Sequence, residues 1–191
     1  MSGVDRCGRS RAGYSRGMAS FVISVLGDDR AGLVEALSAV ITEHGGNWEQ
    51  SHMTQLAGKF AGVVLVSVPS QQSERFGSAL EVLEHTGLLH LSFDEGRDVR
   101  PVGRSIEIRV VGNDHPGIIH ELSHLLASRN VSIDDLETTT SPAPMAGGLL
   151  FEAVARLRLP SGLSDDDLVD EIGELAADLM VDVEVIDEPR A

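Results

Sequence analysis

A single cysteine, Cys7, occurs in the 191 residues. One thiol closes no intramolecular disulfide and builds no cysteine zinc cluster. A disulfide scaffold is therefore excluded, and a reducing cytoplasm is the expected compartment. Aromatic residues are scarce as well, 4% of the chain against 42% for all hydrophobic residues, so a core must rest on Leu, Val, Ile and Ala. Long apolar runs are missing. Stretches such as Val63-Val64-Leu65-Val66 fall far short of the ~18 residues that a membrane-crossing helix needs, which predicts a soluble chain with no membrane partner. Basic residues are few, 15 against 30 acidic, for a formal net charge of -15. Arg6, Arg9, Arg11 and Arg16, with Asp5 alone of the acids, precede Met18; the rest of the chain holds 11 basic and 29 acidic residues, a net charge of -18. Such a body repels phosphate backbones, whose recognition begins with a basic footprint, so no direct nucleic-acid partner is expected.

The opening "MSGVDRCGRSRAGYSRG" has no apolar run of the length that a secretory signal requires. Its Arg, Ser and Gly content gives only a faint suggestion of an organelle transit peptide. The simpler expectation is a disordered tail over residues 1–18, or a true start at Met18.

What the chain does contain is a repeat. "VLGDDRAGLVEALSAVI" (Val25–Ile41) lies over "VVGNDHPGIIHELSHLL" (Val110–Leu126) at an offset of 85, and "FAGVVLVSVP" (Phe60–Pro69) lies over "FEAVARLRLP" (Phe151–Pro160) at an offset of 91. The six extra residues belong to "TTSPAPMAGG" (Thr139–Gly148), whose Pro and Gly predict a loop.

Each copy predicts the same elements. Phe21–Leu26 and Ile106–Val111 alternate or run apolar, as strands do. Apolar residues at Leu33, Leu37, Val40 and Ile41, matched by Ile118, Leu122, Leu125 and Leu126, mark one face of an amphipathic helix. Strands are predicted near 47–55, 60–68, 132–139 and 149–159. Second helices carry Phe76, Leu80 and Leu83, then Leu168, Ile172 and Leu175; final strands lie near 88–93 and 180–185. The order is β-α-β-β-α-β, twice. Right-handed crossovers then put both helices on one face of a four-stranded antiparallel sheet, which makes an α+β chain of two ferredoxin-like units. The units are expected at 19–94 and 105–187, with "DEGRDVRPVGR" (Asp94–Arg104) marking the linker at 95–104 and a short tail at 188–191. Units this small bury a modest fraction of their surface, so the copies are expected to pack together and to dimerise.

Two motifs compete within "GNDHPGIIHELSH" (Gly112–His124). Its last five residues, His120-Glu121-Leu122-Ser123-His124, spell the H-E-x-x-H of a zinc peptidase, two histidines on one helical face with a glutamate base. At about 100° per residue those histidines lie opposite the Ile118/Leu122/Leu125 stripe and point outward. No G-x-x-H follows in "LLASRN", and the first copy has Glu35-Ala36-Leu37-Ser38-Ala39 there. A zinc-dependent hydrolase is therefore the least favoured reading, and neither a metal nor a cofactor is expected.

The glycine turns, Asp29-Arg30-Ala31-Gly32 and Asp114-His115-Pro116-Gly117, are repeated. Free N–H groups and the positive dipole end favour a carboxylate where a strand turns into a helix. A structural account stands beside that one: Asp caps the helix, Pro suits its first turn, and Gly relieves a tight bend. Spacing alone favours the structural account.

"GDDRAGL" and "GNDHPGI", each opening a β-α-β-β-α-β unit, resemble the D-R-P-G-[LIV] turn of ACT domains. The tandem pair, with its proline-containing insertion and no attached catalytic domain, is similar to the glycine cleavage system transcriptional repressor proteins. That resemblance implies a non-enzymatic regulator that binds an amino acid, glycine or a related small effector, between packed ACT units. It implies as partner a transcription factor or metabolic enzyme, with a transcriptional regulator of glycine cleavage foremost; the alternative is a ligand-free ACT assembly module. Carried over by position, the ligand residues are Asp29, Gly32 and Asn47 in the first copy and Asp114, Gly117 and Ser132 in the second. Ala31 stands where the family has Pro, and Ser132 where it has Asn. Backbone N–H groups near Gly32 would take a carboxylate, and Asp29 or the Asn47 oxygen an ammonium.

Overall fold

The computed structural model describes residues 17–96, 103–143 and 147–186. The expected tails, apart from residues 17 and 18, and residues 97–102 of the expected linker lie outside the described residues. The chain divides into two compact units between Val99 and Arg100.

In the first unit, strand β1 (Met18–Asp28) sends Phe21, Ile23 and Val25 to the core and leaves Val22 and Leu26 exposed. That is the period-2 pattern of a sheet covered on one face. Helix α1 (Leu33–Glu43) buries Leu33, Leu37 and Ile41, and helix α2 (Ser73–His85) buries Phe76, Leu80 and Leu83. Strands β2 (Asn47–Leu56), β3 (Lys59–Pro69) and β4 (His90–Glu95) complete a sheet of order β2-β3-β1-β4 with every neighbour antiparallel. Each helix thus joins two parallel strands that a third strand separates. Both helices share one core with the sheet, so they cover the same face. The few aromatics cluster there: the Phe21 ring meets Phe76 edge-on at 5.4 Å and Phe93 at 6.4 Å.

The second unit repeats the plan. Strands β5 (Arg104–Asn113), β6 (Ser132–Pro142), β7 (Leu149–Leu159) and β8 (Val181–Ile186), with helices α3 (Ile118–Ser128) and α4 (Asp165–Leu179), form a sheet of order β6-β7-β5-β8. Its core is almost wholly aliphatic, with Ile108, Leu126, Leu157, Leu168 and Ile172 essentially inaccessible. Among the described residues no helix is long and apolar enough to cross a membrane.

Two features depart from the sequence pattern. The expected loop at Thr139–Gly148 begins later, because Thr139 to Pro142 extend β6 and pair with Glu152 to Leu149. Three successive threonines suit an extended, pleated backbone. The insertion therefore replaces only the tight turn of the first hairpin, where Ala57 and Gly58 both have positive φ, as a two-residue type I′ connection requires. The second feature is a bulge at the same place in each unit, between Trp48 and Gln50 and between Ile133 and Asp135. One extra residue there, Glu49 or Asp134, is left without a strand partner and shifts the alternation of the residues that follow.

Candidate functional site

Each glycine turn is built alike. Gly32 is the N-cap of α1 with φ 96°, and Gly117 is the N-cap of α3 with φ 110°; neither helix start has a side-chain cap. This removes the capping account of Asp29 and Asp114. Glycine sits at both positions because the backbone is left-handed there, a conformation that a Cβ disfavours. Crowding is not the cause: a Cβ on Gly117 would meet nothing within 4 Å, and one on Gly32 only Glu35 Oε2, at 3.9 Å. The first-turn N–H groups of both helices thus lack a side-chain partner, and such groups attract anions.

The aspartates are fixed by their backbones. The Asp29 N–H donates to the Gly58 carbonyl at 2.9 Å, and the Asp114 N–H to Leu149 at 2.8 Å, so each turn is tied to the hairpin of its own unit. Both carboxylates are exposed. Beside Asp29, the exposed Asp28 pairs with Lys59, whose hydrogen bond and charge hold the Asp28 carboxyl below its ordinary range. In the second turn, His115 donates from Nε2 to the Leu179 carbonyl at 2.8 Å and from Nδ1 to Pro116 at 3.2 Å. Donating to two carbonyls requires the imidazolium, and the His115 pKa is raised accordingly.

Asn47 and Ser132 do not join these turns. Asn47 pairs with Ser67, which pairs with Ser20 at the start of β1, whereas Gly32 follows the end of that strand. Eight strand residues, roughly 26 Å, separate the two levels. Ser132, level with Ser105, stands equally far from Gly117. Within one unit a ligand the size of an amino acid reaches the turn or the asparagine, but not both.

Asn47 has another partner, which sequence reading missed. Glu49, the extra residue of the bulge, accepts a hydrogen bond from Ser67 Oγ at 2.6 Å, and Asn47 on the same strand adds to the polar surroundings of its carboxyl. Both, Ser67 first, lower its pKa. Glu49 stands two residues after Asn47 in "GGNWE", so the period-2 alternation of a strand already puts the two side chains on one face. Ser67 is the single buried polar residue among those described.

Two open clefts lie away from these residues. One of about 580 Å³ is lined by Gly103, Arg104 and Leu159 to Ser164, at the sheet end far from Gly117. Another, of about 520 Å³, runs between α2 and β4. His120 and His124 are exposed, with stacked rings 6.4 Å apart. Among the described residues no group of three potential ligands forms around them.

Comparison with known proteins fits this architecture. ACT-domain models match residues 19–94 and 106–163, together more than half of the chain. The chain belongs to the ACT-domain family. Its two ACT units stand in tandem. The glycine cleavage system transcriptional repressor of Escherichia coli (strain K12) is 27% identical over 124 residues, covering 64% of this chain and 65% of that protein. The match thus spans less than two thirds of that relative. A crystal structure of an unknown protein from Galdieria sulphuraria is 33% identical, with a TM-score of 0.79 over 90% of this chain and 99% of that one. A solved candidate glycine cleavage system transcriptional repressor shares the fold, at 20% identity and a TM-score of 0.67 over 88% and 96% of the two chains. ACT membership and a regulator-named relative indicate a regulatory role.

Proposed function

We propose that this chain is a non-enzymatic sensor that binds an amino acid, glycine or a related small effector, at the Asp29–Gly32 turn of its first ACT unit. The observation that carries this reading is the uncapped start of α1 next to an exposed aspartate. Free N–H groups suit a carboxylate, and the Asp29 carboxylate suits an ammonium, so the turn offers both halves of a zwitterion's complement. The second turn repeats Asp114 and Gly117, but His115 is already bound to Leu179, which makes that turn the more rigid copy.

The effector would act by binding one conformation more tightly than another and so biasing a surface that a partner reads. We take that partner to be a transcriptional regulator of glycine cleavage, as the name of the E. coli relative suggests. The net charge of -15 favours control through a protein over control through DNA. A homodimer completes the proposal, since Val22, Leu26 and Val63 stay exposed on the helix-free face of the first sheet.

A thermal-shift screen with the twenty amino acids tests the sensor. At a hundred times its Kd the effector adds about 2.7 kcal/mol of stability by mass action, and Asp29→Ala removes that gain. One observation favours the ligand-free assembly module instead: the chain's own Glu35 carboxylate stands near Gly32. Silence from all twenty amino acids would establish that reading.

A further inference from the structure

The two units place a carboxylate at the same spot and treat it differently. Glu49 and Asp134 are the bulged residues of the edge strands β2 and β6. Beside them on the next strand stand Ser67 and Arg158, each paired on one side with the first residue of the edge strand and on the other with Ser20 or Ser105. Position by position, then, the cluster Glu49–Ser67–Ser20 corresponds to Asp134–Arg158–Ser105.

In the second unit the carboxylate is neutralised from within. The Arg158 Nε lies 3.1 Å and 3.0 Å from the two Asp134 oxygens, and its terminal nitrogen pairs with Oδ1 as well. This is the two-pronged fit of a guanidinium on a carboxylate. In the first unit serine replaces that arginine. Glu49 accepts from a neutral donor, Ser67, with Asn47 on the same face of its strand, and has no cationic partner among the described residues. Its carboxylate is therefore oriented, exposed, and not neutralised by any described residue. An apolar wall stands close by. Leu65 and Val22 occupy the next row of the sheet, and the backbone of Gly96 passes so near that a Cβ there would lie 3.2 Å from Ser20 Cβ and 3.6 Å from Leu65 Cδ1.

We propose that Glu49, Ser67 and Asn47 form a receptor for a small organic cation, a guanidinium or primary ammonium, whose head takes the place that the Arg158 side chain fills in the second unit. The cation bonds the Glu49 oxygen left free by Ser67, and the Asn47 side-chain carbonyl oxygen adds an acceptor. Its aliphatic part lies along Leu65 and Val22. The second unit carries its own occupant and leaves no vacancy. This site is roughly 26 Å along the sheet from the glycine turn, and it does not depend on a ligand there.

Calorimetric titration of the full chain with agmatine, L-arginine and citrulline, at about 0.15 M salt to screen the chain's general acidity, tests the proposal. Agmatine and arginine should bind saturably at one site per chain, and neutral citrulline should not. Glu49→Gln, which keeps the size and an acceptor for Ser67, should abolish binding; Ser67→Arg, which supplies the missing guanidinium, should do the same. Asp29→Ala should leave binding unchanged. Arg158→Ser should raise the stoichiometry from one to two. Equal response to citrulline, no saturable response at all, undiminished binding by Glu49→Gln, or one site in folded Arg158→Ser would each overturn the proposal.

Discussion

At the scale of single residues, the backbone decides more than the side chains do. Gly32 is required by its φ of 96° and not by lack of room. Gly32→Ala should therefore cost only the left-handed penalty, about 1–2 kcal/mol, as measured by urea unfolding. Gly62 presents the opposite case, since a Cβ there would meet the His52 carbonyl at 2.2 Å; Gly62→Ala must displace β2 and should cost clearly more. His115 gives a pH signature. Its folded pKa is raised, so its contribution is complete below the unfolded value and disappears as pH rises through the folded one. His115→Gln should be less stable than the parent in mild acid, and urea midpoints should converge as pH rises. Glu49 has the reverse sign. Its lowered pKa gives stability above the ordinary glutamate range that is lost on acidification. Sequence reading placed Asp29 and Gly32 in the turn but left a helix cap and a ligand contact both open for the aspartate, because spacing carries no φ. It could not find the His115–Leu179 bond, whose partners are 64 residues apart.

At the scale of elements, legibility followed periodicity. The stripe Leu33, Leu37, Ile41 and its counterpart Ile118, Leu122, Leu126 are buried as their spacing predicts, and the alternation of Phe21, Ile23 and Val25 marks the face of β1 that packs on the helices. The same stripe explains why His120 and His124 face solvent. Bulges escape such reading. One added residue reverses the alternation beyond it, so "NWEQ" puts Glu49 on the face of Asn47 but does not announce that Gln50, the next residue, pairs with Leu65. The insertion was half legible: Pro and Gly marked it, but the threonines before them continue β6. Replacing residues 142–149 by Ala-Gly should restore the short hairpin of the first unit at little cost, because shortening such a loop changes its closure entropy by about 0.6 kcal/mol per halving. A melting temperature within a few degrees of the parent would agree; loss of cooperative unfolding would show that the segment is structural.

At the scale of the whole molecule, duplication organises the chain, and the copies differ in how they clothe the helix-free face of the sheet. The first unit keeps the exposed Glu49 carboxylate and exposed Val22, Leu26 and Val63 on its helix-free face. The second covers the corresponding face with Arg109–Glu152, Arg156–Glu107 and Arg158–Asp134 pairs. Exposed pairs of this kind add little stability each; their effect is to make that face polar. With 30 acidic residues against 15 basic, the chain should leave the mobility of a DNA duplex unchanged in a gel shift even at low salt. The central claim, an effector held by the uncapped start of α1, is tested most directly by amide NMR. On titration with the amino acid that most raises the melting temperature, the account predicts that the N–H signals of Gly32, Leu33 and Val34 move first and saturate together, and that they stay still in Asp29→Ala. Saturating shifts confined to other parts of the chain, or none with any amino acid, would contradict it.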